Sequence, residues 1–286
     1  MASRFSWFVL WLKGTPVETI ARLNHKGRNT ILRVVYWYLD YLIKPSPKAN
    51  LDCYPVIDAT WFGRENCLLA FWDKDLQKVQ WWRWSPRKEA AWEIIEDLKS
   101  LKKKRVIFKA VTSDGSPGIK TALSFIYPSI PHQRCLVHLQ RTGLAFLTQR
   151  SKTLAGWELR DLILKLNTIK THEKHNLWVR NFYHWGNQYY SFLKEKSYSF
   201  EKKNWWYTHR GLRKTRRMII NALPDMWHYL DNPKISKDTN GLEGRWSSLK
   251  GHFRNHRGLS KNRRKNYLSW YLAVVINKEI PTLSGY

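Results

Sequence analysis

Cysteine, acid and long apolar runs are what this sequence has least of. Among 286 residues there are three cysteines, Cys53, Cys67 and Cys135, an odd and widely spaced set that fits a reducing compartment better than a disulfide framework. No run of 18 apolar residues occurs, which argues against a membrane span. The apolar start FSWFVLWL (residues 5–12) is short, is followed by Lys13 and has no small-residue cleavage pattern, so it does not read as a signal peptide. Acidic residues number 22 against 50 Lys and Arg, leaving a net charge of +28. That excess is far beyond what solubility requires and attracts a polyanion: nucleic acid first, an anionic membrane surface second. Tryptophan, by contrast, is abundant at 17 residues, most of them expected in the core or as half-buried platforms.

Residues 15–43 read as two helices around a tight turn. Thr15-Pro16-Val17-Glu18 has the form of a capping box, with Pro16 at the first helical position and Glu18 reaching back. Val17, Ile20, Ala21 and Leu23 supply an apolar face. His25-Lys26-Gly27 breaks the helix, and Asn29 or Thr30 starts the next, which runs through Ile31, Val34, Val35, Trp37 and Tyr38. This is the outline of a helix-turn-helix, and equally of an ordinary pair of packed helices. Under the first reading Arg28, Asn29, Thr30 and Arg33 sit where side chains meet phosphates and base edges.

After the polar segment 44–50 the period changes. Tyr54–Ile57, Cys67–Trp72 and Val79–Trp84 read as strands, Arg87–Lys103 as a helix with Ile94, Ile95, Leu98 and Leu101 on one side, and Val106–Val111 as a further strand. A helix around Ile119–Ile126 and a short strand complete a mixed sheet with covering helices. Asp58 follows the first strand and Asp114 the later one. A carboxylate at a strand edge is tolerated when a hard cation compensates it; polar strand stops are the plainer reading. Far downstream, Glu243 flanks the helical stripe Leu242, Trp246, Leu249 and Phe253, and is the only acid between Gly241 and Lys278. With Asn240 it also fits a capping box. Residues 245–265 hold eight Lys or Arg and no acid, among them Arg245, Lys250, Arg254, Arg257, Arg263 and Arg264. They read as a DNA-facing element or as a solvated basic surface.

Between these regions the pattern is mostly helical: Leu159, Leu162, Ile163 and Leu166 make one stripe, Trp178, Phe182, Trp185, Tyr189 and Phe192 another, and Arg210–Asn221 a basic helix. The stretch PHQRCLVHLQR (131–141) places Cys135 and His138 three apart. A zinc site would need two distant ligands that nothing selects, and support of the core edge is the simpler use. Arg134 and Arg141 offer phosphate contacts or generic charge.

VIDATWFG at 56–63, TSDGSPGI at 112–119, QRCLVHLQR at 133–141 and TNGLEGRWSSLKGHFRNHRGLS at 239–260, in that order, resemble the Mutator-like class of DDE transposases, bacterial insertion-sequence members above all. The resemblance implies an RNase H-like mixed sheet with flanking helices, interrupted by an all-α insertion and preceded by a helix-turn-helix. On that plan residues 1–46 are the helix-turn-helix, 51–138 the first part of the core, 139–238 the insertion and 239–286 the last core helix with its basic region. Asp58 matches the first catalytic aspartate, at the end of the first strand, Asp114 the second and Glu243 the glutamate after the insertion, while Cys135 and His138 match the family's Cys-x-x-His signature. Two Mg²⁺ ions about 3.5–4 Å apart, replaceable by Mn²⁺, would be held by these carboxylates. Water would then free a 3′-OH at an element end, and that hydroxyl would attack target DNA. The implied partners are double-stranded DNA, as terminal inverted repeats and target, and further copies of the chain on DNA. No membrane is implied; the setting would be the cytoplasm of a bacterial or archaeal cell. Related proteins often carry a zinc ribbon ahead of the helix-turn-helix; the start MASRFSWFVLW reads as a shortened copy. The alternatives are a non-catalytic DNA-binding remnant or transposition inhibitor, and an RNase H-like nuclease with other substrates.

Overall fold

The computed structural model describes residues 3–63, 66–85, 90–256 and 258–281. Three helices open it: α1 (Arg4–Leu12), α2 (Val17–Leu23) and α3 (Arg28–Leu39). A short strand β1 (Asn50–Cys53) precedes a meander of β2 (Val56–Phe62), β3 (Asn66–Asp73) and β4 (Lys78–Ser85). Then come α4 (Ala91–Lys103), β5 (Val106–Phe108), β6 (Val111–Ser113), α5 (Pro117–Ile126) and β7 (His132–Arg134). A long excursion follows: α6 (Leu136–Phe146), α7 (Leu154–Lys165), α8 (His172–Gln188), α9 (Tyr190–Lys194), β8 (Lys196–Ser199), β9 (Asn204–Tyr207), α10 (Arg210–Ala222) and α11 (His228–Asp231). The last described elements are α12 (Asn240–Arg254), α13 (Lys261–Trp270) and a π-helical turn, Tyr271–Ile276. Strands β2–β4 and β6–β7 are those of a mixed parallel and antiparallel five-stranded sheet flanked by helices, a broadly RNase H-like architecture with an N-terminal helical region. No helix among the described residues is long and apolar enough to cross a membrane. The chain divides into two compact units, one of Met1–Phe108, Pro117–Pro128 and Asn240–Tyr286, the other of Lys109–Ser116 and Ser129–Thr239.

In the first unit β3 pairs antiparallel with both β2 and β4, and every residue from Cys67 to Asp73 is buried, as expected of a strand covered on both faces. The edge strand β4 is closed by a side chain: Asn277 Oδ1 accepts from Val79 N at 2.8 Å and its Nδ2 donates to Val79 O at 3.2 Å. Phe8, Leu12, Ile20, Ile31 and Val35 from the N-terminal helices share one core with Leu242, Trp246, Tyr267 and Trp270. Tyr267 donates to Leu12 O at 2.9 Å and Trp270 Nε1 to Tyr38 O at 2.8 Å, so α1 and α3 are anchored by buried aromatics with satisfied donors.

Three local expectations are corrected in this unit. The capping box does not form: α2 starts at Val17 behind Pro16 with no side-chain cap, and Glu18 instead pairs with Arg28 at 2.8 Å. The break at His25–Gly27 is there, as a Schellman turn with His25 at φ 51° and Lys26 N donating to Ala21 O at 3.0 Å, but α3 begins at Arg28 behind an uncapped Gly27 and not at Asn29 or Thr30. Finally, β2 does not stop at Asp58 but runs on to Phe62, with Asp58 opposite Ala70 inside the ladder.

In the second unit β6 and β7 pair in parallel, Val111 with His132 and Ser113 with Arg134. The helices bury Leu159, Ile163, Trp178, Phe182, Trp185 and Ile219 in a core of their own. Two of its three buried indoles donate to backbone carbonyls, Trp178 to Leu162 O at 2.8 Å and Trp185 to Ala155 O at 2.9 Å, and Thr153 and Thr171 cap α7 and α8. The excursion is not all-α: β8 and β9 form an antiparallel hairpin, Lys196 opposite Tyr207 and Tyr198 opposite Trp205. Their Tyr- and Trp-rich sequences favour the pleated surface over a helix.

Candidate functional site

In the first unit the chemistry gathers where α12 packs on β2. Asp58 is 5% exposed, and its Oδ2 accepts a 2.9 Å hydrogen bond from Trp246 Nε1. Trp246 belongs to the buried stripe Leu242, Trp246 and Leu249 of α12, and Glu243, half-buried, lies three residues before it on the same helix. Lys250 lies one turn further on. Desolvation, reinforced by the Arg254 charge, holds its ammonium below the usual lysine range, while the Asp58 carboxylate pulls the other way.

Asp114 belongs to the second unit, directly after β6, and is half-buried. Its turn is tied from several sides. Ser116 N donates to Asp114 Oδ1 at 2.8 Å, Gly115 N to Ser113 Oγ at 3.0 Å, and Ser113 Oγ meets His132 Nε2 at 2.7 Å. Arg134 Nε donates to Asp114 O at 3.1 Å, and its side chain lies where a Cβ on Gly115 would stand, 2.0 Å away. At φ 73° this position is restricted to glycine on both counts. Arg134 therefore braces the Asp114 turn instead of reaching outward, and burial lowers its pKa despite Asp114 and Asp225 nearby.

The described residues contain no group of three or more His, Cys, Asp or Glu side chains that could hold a metal ion.

Cys135 and His138 have a definite task. Cys135 is fully buried at the N-cap of α6, where its Sγ accepts from His138 N at 3.5 Å and from Thr239 N at 3.4 Å. Thr239 Oγ1 stands 3.4 Å from both Cys135 Sγ and His138 Nδ1. The motif thus clasps the residue that closes the excursion. Burial pushes the thiol pKa up. Cys135→Ala is expected to cost about 1–3 kcal/mol through loss of the buried sulfur acceptor that Thr239 N and His138 N share. Zinc and EDTA are expected to leave the wild-type melting temperature unchanged; a zinc-dependent rise that vanishes in C135A would restore the metal reading.

Residues 81–199 match the Mutator-family transposase model. The match runs from within β4 to the end of β8 and takes in Asp114, Cys135 and His138, whereas Asp58 and Glu243 lie outside it. No curated protein matches the chain.

The Mutator-family segment is flanked by the two basic regions named from the sequence. On α3, Asn29 and Arg33 are exposed and Thr30 half-buried, while Arg28 is held by Glu18. In the C-terminal region several cations already have internal work. Arg245 lies over the Trp72 ring at 3.8 Å and bonds Gly241 O and Gln77 Oε1. Arg263 pairs with Asp40 at 3.0 Å and lies over Tyr36, and Arg264 donates to Leu259 O at 2.8 Å. Arg254 is exposed; Arg257 lies outside the described residues. Charge density alone could not separate these bracing arginines from outward ones, since Trp72, Gln77, Asp40 and Tyr36 are distant in sequence and the Gly241 and Leu259 carbonyls carry no motif.

Proposed function

We propose that this chain is a transposase-derived protein that binds double-stranded DNA at repeat ends through its N-terminal helix pair and basic surface, as a non-catalytic remnant or transposition inhibitor. The observation that carries the reading is the +28 net charge on a chain whose residues 81–199 match the Mutator family. Exposed Asn29 and Arg33 at the start of an anchored helix supply base-edge donors, and Arg254 adds a phosphate contact. Binding by more than one copy suits paired repeat ends.

A second reading, metal-dependent cleavage and strand transfer through Asp58, Asp114 and Glu243 with Mg²⁺ or Mn²⁺, draws support from one feature. A carboxylate 5% exposed lies in hydrogen-bond contact with the helix that carries Glu243. The two readings part in one experiment, in which wild type, D58N and D114N are tested by gel shift and by Mg²⁺-dependent nicking on the repeats flanking the gene and on scrambled duplexes. Under the first reading all three proteins shift the repeats alike, prefer them to scrambled DNA and nick nothing. Nicking by wild type that D58N and D114N lose while keeping the shift would establish the second.

A further inference from the structure

We propose that the face of the second unit built by the β8–β9 hairpin and α10 is a site for an unpaired nucleic-acid strand; the proposal deepens the DNA-binding reading and rests on it. Bases would stack on the hairpin's rings and phosphates would lie along the helix's cations.

Two observations converge. The first is charge. Helix α10 turns Leu212, Thr215, Ile219 and Ala222 inward and packs Arg210, Arg213, Lys214, Arg216 and Arg217 into eight residues, with no acid between positions 210 and 222. The neighbouring carboxylate of Glu195 is engaged by His209 at 2.8 Å. Concentrating like charges on one helix costs stability, and a polyanion offsets it.

The second is aromatic surface. The register that sets Tyr198 opposite Trp205 and Lys196 opposite Tyr207 puts three rings on one face of the hairpin. Trp205 is 53% exposed, Tyr198 51% and Phe200, at the turn, 87%. Cations already lie over the rings: Lys196 Nζ is 4.1 Å from the Trp205 centroid and the Arg213 guanidinium 3.4 Å from that of Tyr207. One groove joins Trp205 and Tyr207 to Arg210, Lys214 and Arg217. Open ring faces beside positive charge match a nucleotide's base and phosphate together. A paired duplex has its bases stacked away and would use only the charges, whereas an acidic polypeptide would leave the rings idle.

The test uses the full chain, fluorescence anisotropy, and two labelled probes: a single strand of about 20 nucleotides, spanning at least one such site, and the blunt duplex of the same sequence. Trp205→Ala is expected to weaken single-strand binding roughly 5- to 150-fold, the loss of one base stack. Duplex binding and the melting temperature should be nearly unchanged, and Trp205→Phe should restore most of the affinity. Lys214→Ala with Arg217→Ala should flatten the salt dependence of single-strand binding by about 1.4 log units per log unit, at roughly 0.7 for each phosphate contact, while Trp205→Ala leaves that slope alone. Equal losses on both probes, or unchanged single-strand affinity in Trp205→Ala, would overturn the proposal and leave DNA binding standing. Displacement of the strand by polyglutamate at matched charge would overturn it in favour of an acidic polypeptide. If wild type binds neither probe, the DNA-binding reading fails and this proposal with it.

Discussion

Replacing Trp246 with alanine is expected to destabilise the protein by about 3–5 kcal/mol, read as a lowered urea midpoint at unchanged slope. The indole is 3% exposed and sits in a core that also contains Val56, Leu68, Leu249 and Tyr267, so its removal leaves a cavity in a core built from β2, β3, α12 and α13. It also strips the buried Asp58 carboxylate of the Nε1 donor at 2.9 Å. Trp246→Phe separates the two effects: most of the volume stays, the donor goes, and the expected cost is about 1–3 kcal/mol. In a D58N background the same change should cost less, because the hydrogen bond it removes no longer serves a charge. A Trp246→Phe cost unaltered by D58N would mean that the pair contributes packing alone.

The second large effect lies at Arg83. Its guanidinium grips Asp97 by two bonds, Nε to Oδ2 at 2.7 Å and a second nitrogen to Oδ1 at 2.6 Å, and Trp81 Nε1 adds a third at 2.7 Å. Asp97 is 1% exposed. Burial pushes its carboxyl above the ordinary aspartate range even though Arg83 and Trp81 pull it down. Arg83→Met should therefore strand a buried charge and cost about 3–5 kcal/mol near neutral pH, whereas Arg83→Met with Asp97→Leu should return close to wild type. The sign of the pH dependence follows from the raised folded-state pKa. A raised carboxyl favours its protonated form in the native state, so its contribution is present below the unfolded pKa and lost as pH rises through the folded one. Removing Arg83 raises Asp97 further, so the deficit of Arg83→Met should shrink on acidification relative to wild type. Thermal melts across that range check it, and a deficit that grows toward low pH would refute the assignment.

Periodicity made the helices and the three-strand meander legible, because Ile94, Leu98 and Leu101, or Leu242, Trp246 and Leu249, are spaced as their buried faces require. Ends and partners were less legible. Asp58 looks like a strand stop only while its donor, 188 positions away, is unseen. The Thr15–Glu18 cap loses Glu18 to the Arg28 guanidinium across the turn. The apolar run 106–111 divides into β5 and β6 around Lys109-Ala110. The β8–β9 hairpin lacks a glycine turn, and Lys203 takes the left-handed conformation instead, at φ 46°. Cys135 and His138 were visible as a pair, but Thr239, which gives the pair its purpose, is about a hundred positions downstream, and nothing in the stretch it opens links it to them.

That clasp also bears on how freely the segment it closes can change in length. Cys135 meets Thr239, and Leu136 N donates to Lys237 O at 3.0 Å, so the chain leaves and returns at one spot. The entropy of joining two ends grows only with the logarithm of what lies between, about 0.6 kcal/mol for each doubling. Lengthening, trimming or exchanging surface loops between α6 and α11 should therefore perturb the closure itself by well under the roughly 1–3 kcal/mol that loss of one buried hydrogen-bond partner costs. The surface loops of the interval can thus change length at little cost to its closure, while its two junctions and its buried core cannot be altered as cheaply.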